Sequence, residues 1–182
     1  AERYKDEIHK ELPEVDAVFG IGANSDMPAL IGGLFESEYS SSFPDKEKLE
    51  ICGRRIMLNP SYFAYIKIAE GCSNRCTYCA IPSIRGPFRS RPIESIIEEA
   101  KELSDAGAKE IILIAQDTTR YGIDLYGEYS LARLMKELCK IDKIKWLRTL
   151  YCYPEAVTDE LIETFRDEEK IVKYIDMPMQ HI

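Results

Sequence analysis

A chain of 182 residues that is 45% hydrophobic, 31% charged and 10% aromatic has the composition of a soluble globular protein of one or two domains, large enough to bury a core. It holds no run of about 18 apolar residues and no apolar stretch behind Ala1-Glu2-Arg3-Tyr4, which excludes a membrane-spanning helix and a signal peptide and makes the cytoplasm the expected location. A net charge of -8 argues against a surface that wraps nucleic acid as a whole, and six cysteines without a secretory signal point to metal or catalytic thiols rather than a disulfide scaffold.

In chain order, Tyr4 to Leu12 reads as a short polar helix, Asp16 to Gly22 as a strand running into a glycine turn, and Asp26 with Pro28 as the start of a helix carrying Ala29, Leu30, Ile31 and Leu34. The serines at 40–42, Pro44 and a charged run give 37–61 the character of a linker, with one apolar stretch at Ile56 to Leu58. Three segments result: 1–36 as the end of an α/β domain, 37–61 as linker, and 62–182 as a second α/β domain. In the last of these, a strand at Phe63 to Ala69 precedes a helix starting near Pro92, with Ile93, Ile96, Ile97, Ala100 and Leu103 at helical spacing before Gly107. Strand Ile111 to Ala115, a helix from Ser130, strand Trp146 to Tyr151, a helix capped by Thr158 and strand Val172 to Asp176 follow. Strands alternating with amphipathic helices predict a parallel sheet with helical crossovers, a barrel or part of one, whose chemistry belongs at the carboxyl ends of its strands.

The first of those ends carries Cys72, Cys76 and Cys79 at the spacing CxxxCxxC. Three neighbouring thiolates repel one another unless a cation neutralises them, and soft sulfur donors select zinc or an iron-sulfur cluster. Structural zinc needs a fourth protein ligand, and neither His9 nor His181 is adjacent, so three ligands suit a 4Fe-4S cluster with one open iron. A zinc knob completed by a distant ligand, forming a non-enzymatic interaction module, is the alternative. Cys52, Cys139 and Cys152 are scattered and read as small buried side chains.

With an aromatic residue, Tyr78, before the last cysteine, this motif after the first strand of a parallel barrel resembles the radical S-adenosylmethionine enzymes. The resemblance implies a 4Fe-4S cluster whose open iron is chelated by S-adenosylmethionine, which one electron cleaves to methionine and a deoxyadenosyl radical. The longer string from Gly71 to Gly86, continuing to Ser90-Arg91-Pro92, is similar to the methylthiotransferase family within that superfamily. Ala115-Gln116-Asp117-Thr118-Thr119-Arg120-Tyr121-Gly122 and Ile81-Pro82-Ser83 resemble its RimO branch, which adds a methylthio group to the β-carbon of an aspartate in small-subunit ribosomal protein number twelve. The tRNA-modifying MiaB branch is the alternative.

The resemblance implies more than the chain holds. Family members carry an N-terminal domain whose own three cysteines hold a second 4Fe-4S cluster, the last of them just before an Arg-Tyr pair like Arg3-Tyr4, so that 1–36 would be the C-terminal part of that domain. They also carry a C-terminal TRAM domain that binds the substrate. The chain is therefore expected to be truncated at both ends, with the ribosomal protein and an electron donor as partners. By the same resemblance Tyr78 would meet the adenine, and Gln116, Asp117 and Thr118 the methionine amino group. Arg148 would meet a ligand carboxylate or, failing that, Asp176. Gln180 and His181 would face the substrate. Four arginines and no acid lie between Cys72 and Pro92, so that stretch is +4 and the remainder -12. Arg85 in the family string is the strongest candidate of the four for substrate binding. Arg89 and Arg91 read equally well as partners of nearby helix acids, and Glu98, Glu99 and Glu102 as solvated surface.

Overall fold

The computed structural model describes residues 2–35, 40–48 and 61–179, and the chain divides into two units, Ala1–Glu50 with Ser73–Pro87, and Ile51–Cys72 with Phe88–Ile182. In the first unit, helix α1 (Lys5–Glu11) has Asp6 and Glu7 in its first turn and His9 and Lys10 in its last, the order that complements the helix dipole, and buries none of its residues. Strand β1 (Ala17–Phe19) leads through a 3-10 turn (Ile21–Asp26) into α2 (Met27–Gly33). Asp26 makes no side-chain cap, because the preceding turn already runs into the helix. A Cβ on Gly22 would collide with the Pro44 carbonyl, so only glycine fits there. The serine run that reads as linker forms β2 (Ser40–Ser42), parallel to β1 with Val18 opposite Ser41. Backbone pairing, rather than side-chain preference, makes this strand. Residues 49–60, including the apolar stretch at 56–58, lie outside the described residues. Helix α3 (Ile81–Arg85) has Pro82 in its first turn and ends at Gly86 with φ +81°.

In the second unit, β3 (Phe63–Lys67) buries alternate residues, and β4 (Ala69–Glu70) pairs antiparallel with β5 (Arg89–Ser90). Helix α4 (Ile93–Asp105) buries Ile93, Ile96, Ala100 and Leu103 along one stripe. It ends in a Schellman motif, with the Gly107 amide on the Ser104 carbonyl at 3.2 Å and that of Ala108 on Leu103 at 3.0 Å, and Gly107 has the required positive φ of 117°. Strand β6 (Glu110–Ile114), the single turn α5 (Ile123–Tyr126), α6 (Leu131–Cys139), β7 (Trp146–Thr149) and α7 (Asp159–Asp167) complete the series.

The three longer strands form a parallel sheet in the order β3-β6-β7, with Ile66 opposite Leu113 and Ile111 opposite Leu147. Those side chains, with Ala64, face the apolar stripes of the helices and make one continuous core with Leu134, Met135, Leu138, Leu161 and Phe165. The strand expected at Val172 to Asp176 is reduced to a parallel bridge between Ile171 and Leu147. The Val172 amide still reaches the Leu147 carbonyl at 2.9 Å, but the next bond, Tyr174 N to Val172 O at 2.7 Å, turns the chain and ends the ladder. The predicted alternation of parallel strands and helices is thus present, as part of an α/β barrel-type sheet. Among the described residues no helix is long and apolar enough to cross a membrane.

Candidate functional site

The carboxyl ends of β3, β6 and β7 carry the segments that the sequence marks for chemistry. At the end of β3, Glu70 is buried, with its carboxylate 2.6 Å from the Lys67 ammonium and accepting the Gly71 amide at 3.2 Å. The chain turns at Gly71 (φ +75°) and reaches Cys72, which is buried. Further along, Arg75 adopts a left-handed φ of 52°, and the Cys79 amide closes a turn on the Cys76 carbonyl at 3.0 Å. Cys76 and Cys79 are half-buried, and all five cysteines in the described residues are free thiols. No three His, Cys, Asp or Glu side chains converge on one point among the described residues. The donor set is nonetheless the one a cluster takes: three reduced soft donors within eight residues, with no histidine or fourth thiol in the run. Tyr78 is strongly exposed, and Arg85 sits half-buried in the last turn of α3.

The segment after β6 is a polar network folded inward. Thr118 is fully buried, its hydroxyl donating to the Leu150 carbonyl at 2.8 Å and accepting from Thr149 at 3.1 Å, while its amide donates to the Tyr151 carbonyl at 3.0 Å. Thr119 donates to the Asp117 carboxylate at 2.6 Å and accepts the Tyr153 amide at 3.0 Å. The side chain of Thr118, expected at a ligand, thus ties the β6 and β7 ends together with Thr119, and that of Asp117, also expected there, holds Thr119 and the Arg120 amide within its own segment. Gln116 is half-buried, and its Oε1 is a buried acceptor without a partner. An acceptor left so is costly by about 1–3 kcal/mol.

The arginines divide by burial. Arg91 is 4% exposed and fully engaged on one end, bonding Glu99 at 2.6 Å, the Lys67 carbonyl at 2.8 Å and the Ser95 hydroxyl at 3.0 Å. Its role is structural, and Glu99 is not the solvated residue its helix position suggests. Arg148 pairs with Glu110 at 2.7 Å and lies over the Tyr174 ring at 5.5 Å, so its partner is neither Asp176 nor a bare site. The Asp176 carboxylate instead accepts the Tyr151 amide at 2.9 Å. Gln180 and His181 lie outside the described residues, as does Cys52. Cys139 and Cys152 are buried as expected.

Sequence reasoning passed over Asp124, which accepts both the amide and the hydroxyl of Ser90, at 2.8 and 2.6 Å, while Ser90 accepts the Gly122 amide at 3.0 Å. The buried Tyr121 donates to the Arg91 carbonyl at 2.7 Å, and burial drives its phenol far above the usual range. A short polar string after a strand was the only signal for this clasp.

The family model described as the radical SAM superfamily matches residues 66–182. Curated proteins named ribosomal protein uS12 methylthiotransferase RimO are similar along the whole chain. That of Caldanaerobacter subterraneus subsp. tengcongensis is 51% identical over 182 residues, and that of Clostridium tetani 50% over 183. The chain spans 42% and 41% of their lengths. Among solved structures, the radical S-adenosylmethionine methyltransferase TsrM from Kitasatospora setae, with cobalamin and a [4Fe-4S] cluster bound, superposes with a TM-score of 0.51 at 15% identity. The match covers 66% of this chain and 23% of that one, and carries the fold alone.

Proposed function

This chain belongs to the radical SAM superfamily, and on that premise we propose that it is part of a methylthiotransferase that adds a methylthio group to the β-carbon of an aspartate in ribosomal protein uS12. The observation that carries the reading is the CxxxCxxC run placed at the end of the first parallel strand, in a chain about half identical throughout to proteins named for that reaction. Cys72, Cys76 and Cys79 hold the cluster, and their count leaves one iron for the cofactor. When bound, the cluster supplies the electron that cleaves the sulfonium of S-adenosylmethionine.

The chain's own contribution is placement. Glu70, neutralised by Lys67, fixes the Gly71 amide and with it the backbone entering Cys72. Gln116 offers its unpartnered amide oxygen to the ammonium of the cofactor's methionine end, and Tyr78 its ring to the adenine. Arg85 is the cation for the acidic substrate, and Gln180 and His181 face it. Thr118 holds together the strand ends on which the cofactor would rest, Asp117 fixes Thr119 beside it, and Arg148, engaged by Glu110, braces the sheet. A second cluster and a TRAM domain belong to the longer protein, which works in the cytoplasm beside the ribosome with an electron donor.

The test is mass spectrometry of uS12 and of tRNA after anaerobic reaction with the full-length protein reconstituted with iron and sulfide. A methylthio group on a uS12 aspartate is expected. A methylthio group on tRNA alone would transfer the chain to the other branch, and a colourless protein binding one zinc and no iron would end the radical reading.

A further inference from the structure

The segment that carries Cys76 and Cys79 leaves the second unit after Cys72 and rejoins it at Phe88, and its two stems meet in a ladder of only two residue pairs. Ala69 lies opposite Ser90 and Glu70 opposite Arg89, so Cys72 follows the last pair by two residues. A two-stranded ladder this short is not stable by itself in water. The returning stem is held by the turn after β6 instead. The Asp124 carboxylate accepts the Ser90 hydroxyl at 2.6 Å and the Ser90 amide at 2.8 Å, and that hydroxyl accepts the Gly122 amide at 3.0 Å. The following residues are received in the same way: Tyr121 donates to the Arg91 carbonyl at 2.7 Å, and the Tyr126 hydroxyl accepts the Ile93 amide at 3.1 Å. Across the neck, the Arg91 amide reaches the Ile68 carbonyl at 2.9 Å and its guanidinium the Lys67 carbonyl at 2.8 Å, while Glu70 accepts the Gly71 amide at 3.2 Å.

A carboxylate that takes two donors from one residue fixes both the position and the direction of that backbone, and hydrogen bonds to an ionised acceptor are about twice as strong as neutral ones. Groups one step behind a metal ligand aim it and tune how firmly it holds. Resting on the reading above that Cys72, Cys76 and Cys79 hold the cluster, we propose that Asp124 is a positioning residue for that cluster. Acting through Ser90 and its pairing with Ala69, it keeps the neck of the ligand segment in the register the cluster needs. Coupling of this kind is reciprocal, so the factor by which the closed clasp favours the cluster is the factor by which the cluster favours closure of the clasp.

The experiment compares full-length protein reconstituted with iron and sulfide and the same protein without them, by hydrogen exchange at the Ser90 amide. Loading should slow that amide about tenfold in wild type and leave the Ile112 amide, in the middle of β6, nearly unchanged. A Ser90 amide equally protected in both forms would overturn the proposal whatever the variants do. In the loaded proteins, iron should pass to EDTA about tenfold faster from Asp124→Ala than from wild type. Asp124→Asn, which keeps one of the two acceptors, should fall between them. Leu161→Ala, which opens a cavity in the core, should melt lower than wild type yet keep its iron as well. Iron loss from Asp124→Ala at the wild-type rate, or equally fast loss from Leu161→Ala, would overturn the positioning role and leave the cluster reading in place. Wild-type protein that takes up no iron would end that reading, and this proposal with it.

Discussion

Burial decides what the thiols outside the CxxxCxxC run can do. Cys139, at the end of α6, is pushed from its ordinary 9.0 to about 11, first by desolvation and then by the negative charge of Glu168. Cys152 is raised in the same way, chiefly by burial. A thiol kept neutral in the fold contributes stability that is fully present below the unfolded value and is lost as pH rises through the folded one. Between pH 9 and 11 the unfolded state has released a proton that the folded state retains, so stability falls with pH by up to about 1.4 kcal/mol per unit from this group. The difference between wild type and Cys139→Ala in urea unfolding should therefore be flat below pH 8 and shrink toward pH 11. Parallel curves across that range would refute the assignment. Residue identity gave the burial of Cys139 and Cys152 correctly and offered a helix acid as one partner for Arg91, but it named neither that acid nor the partner of Arg148. Arg91 meets Glu99 across the start of a helix, and Arg148 meets Glu110 diagonally across two strands, contacts that only a register reveals.

At the scale of elements, hydrophobic period was a sufficient guide wherever a helix packs on the sheet. The stripe of α4 and the buried Leu131, Leu134, Met135 and Leu138 of α6 stand where their spacing put them. Thr158 caps α7 as read, its hydroxyl accepting the Leu161 amide at 3.2 Å, whereas Ser130 precedes α6 without capping it and donates to the Glu128 carbonyl instead. The failures are strands, since three serines or one isoleucine become strand-like only through a partner's backbone. The place of the CxxxCxxC run after the first strand could be read from the order of elements, but the clasp could not, because Ser90 and Asp124 are 34 residues apart and carry no period. That clasp joins β5 to the turn after β6 through a charged acceptor, a bond class worth about 1.5–3 kcal/mol. Asp124→Ala should lower unfolding free energy by about 2 kcal/mol and raise the exchange rate of the Ser90 amide selectively, while amides in the middle of β6 stay protected. A Ser90 amide as slow as in wild type would show that β5 is held without the clasp.

For the whole molecule, the distribution of burial sets how it comes apart. In the second unit a sheet of three strands is sealed by three helices, and Ile66, Ile111, Leu113, Leu134, Leu138 and Leu147 are wholly inside. In the first unit α1 and α2 bury no residue, and Val18 and Ala23 are the only buried apolar side chains among its described residues. Apolar burial is the dominant favourable term, at roughly 25 cal/mol per Å², so the two units differ far more in what holds them than in their length. Opening should therefore begin in the first unit. Native-state hydrogen exchange on the 182-residue chain should find the amides of α1 and α2 exchanging through low-energy local openings, with little dependence on denaturant. Those of Ile111 to Leu113 should exchange only through an opening with the steep denaturant dependence of large-scale unfolding. Denaturant dependence discriminates because it scales with the surface exposed in the opening, which protection alone does not report. Equal slopes for helix α1 and strand β6 would mean that the two units unfold as one, and that sparse burial in the first does not set its stability.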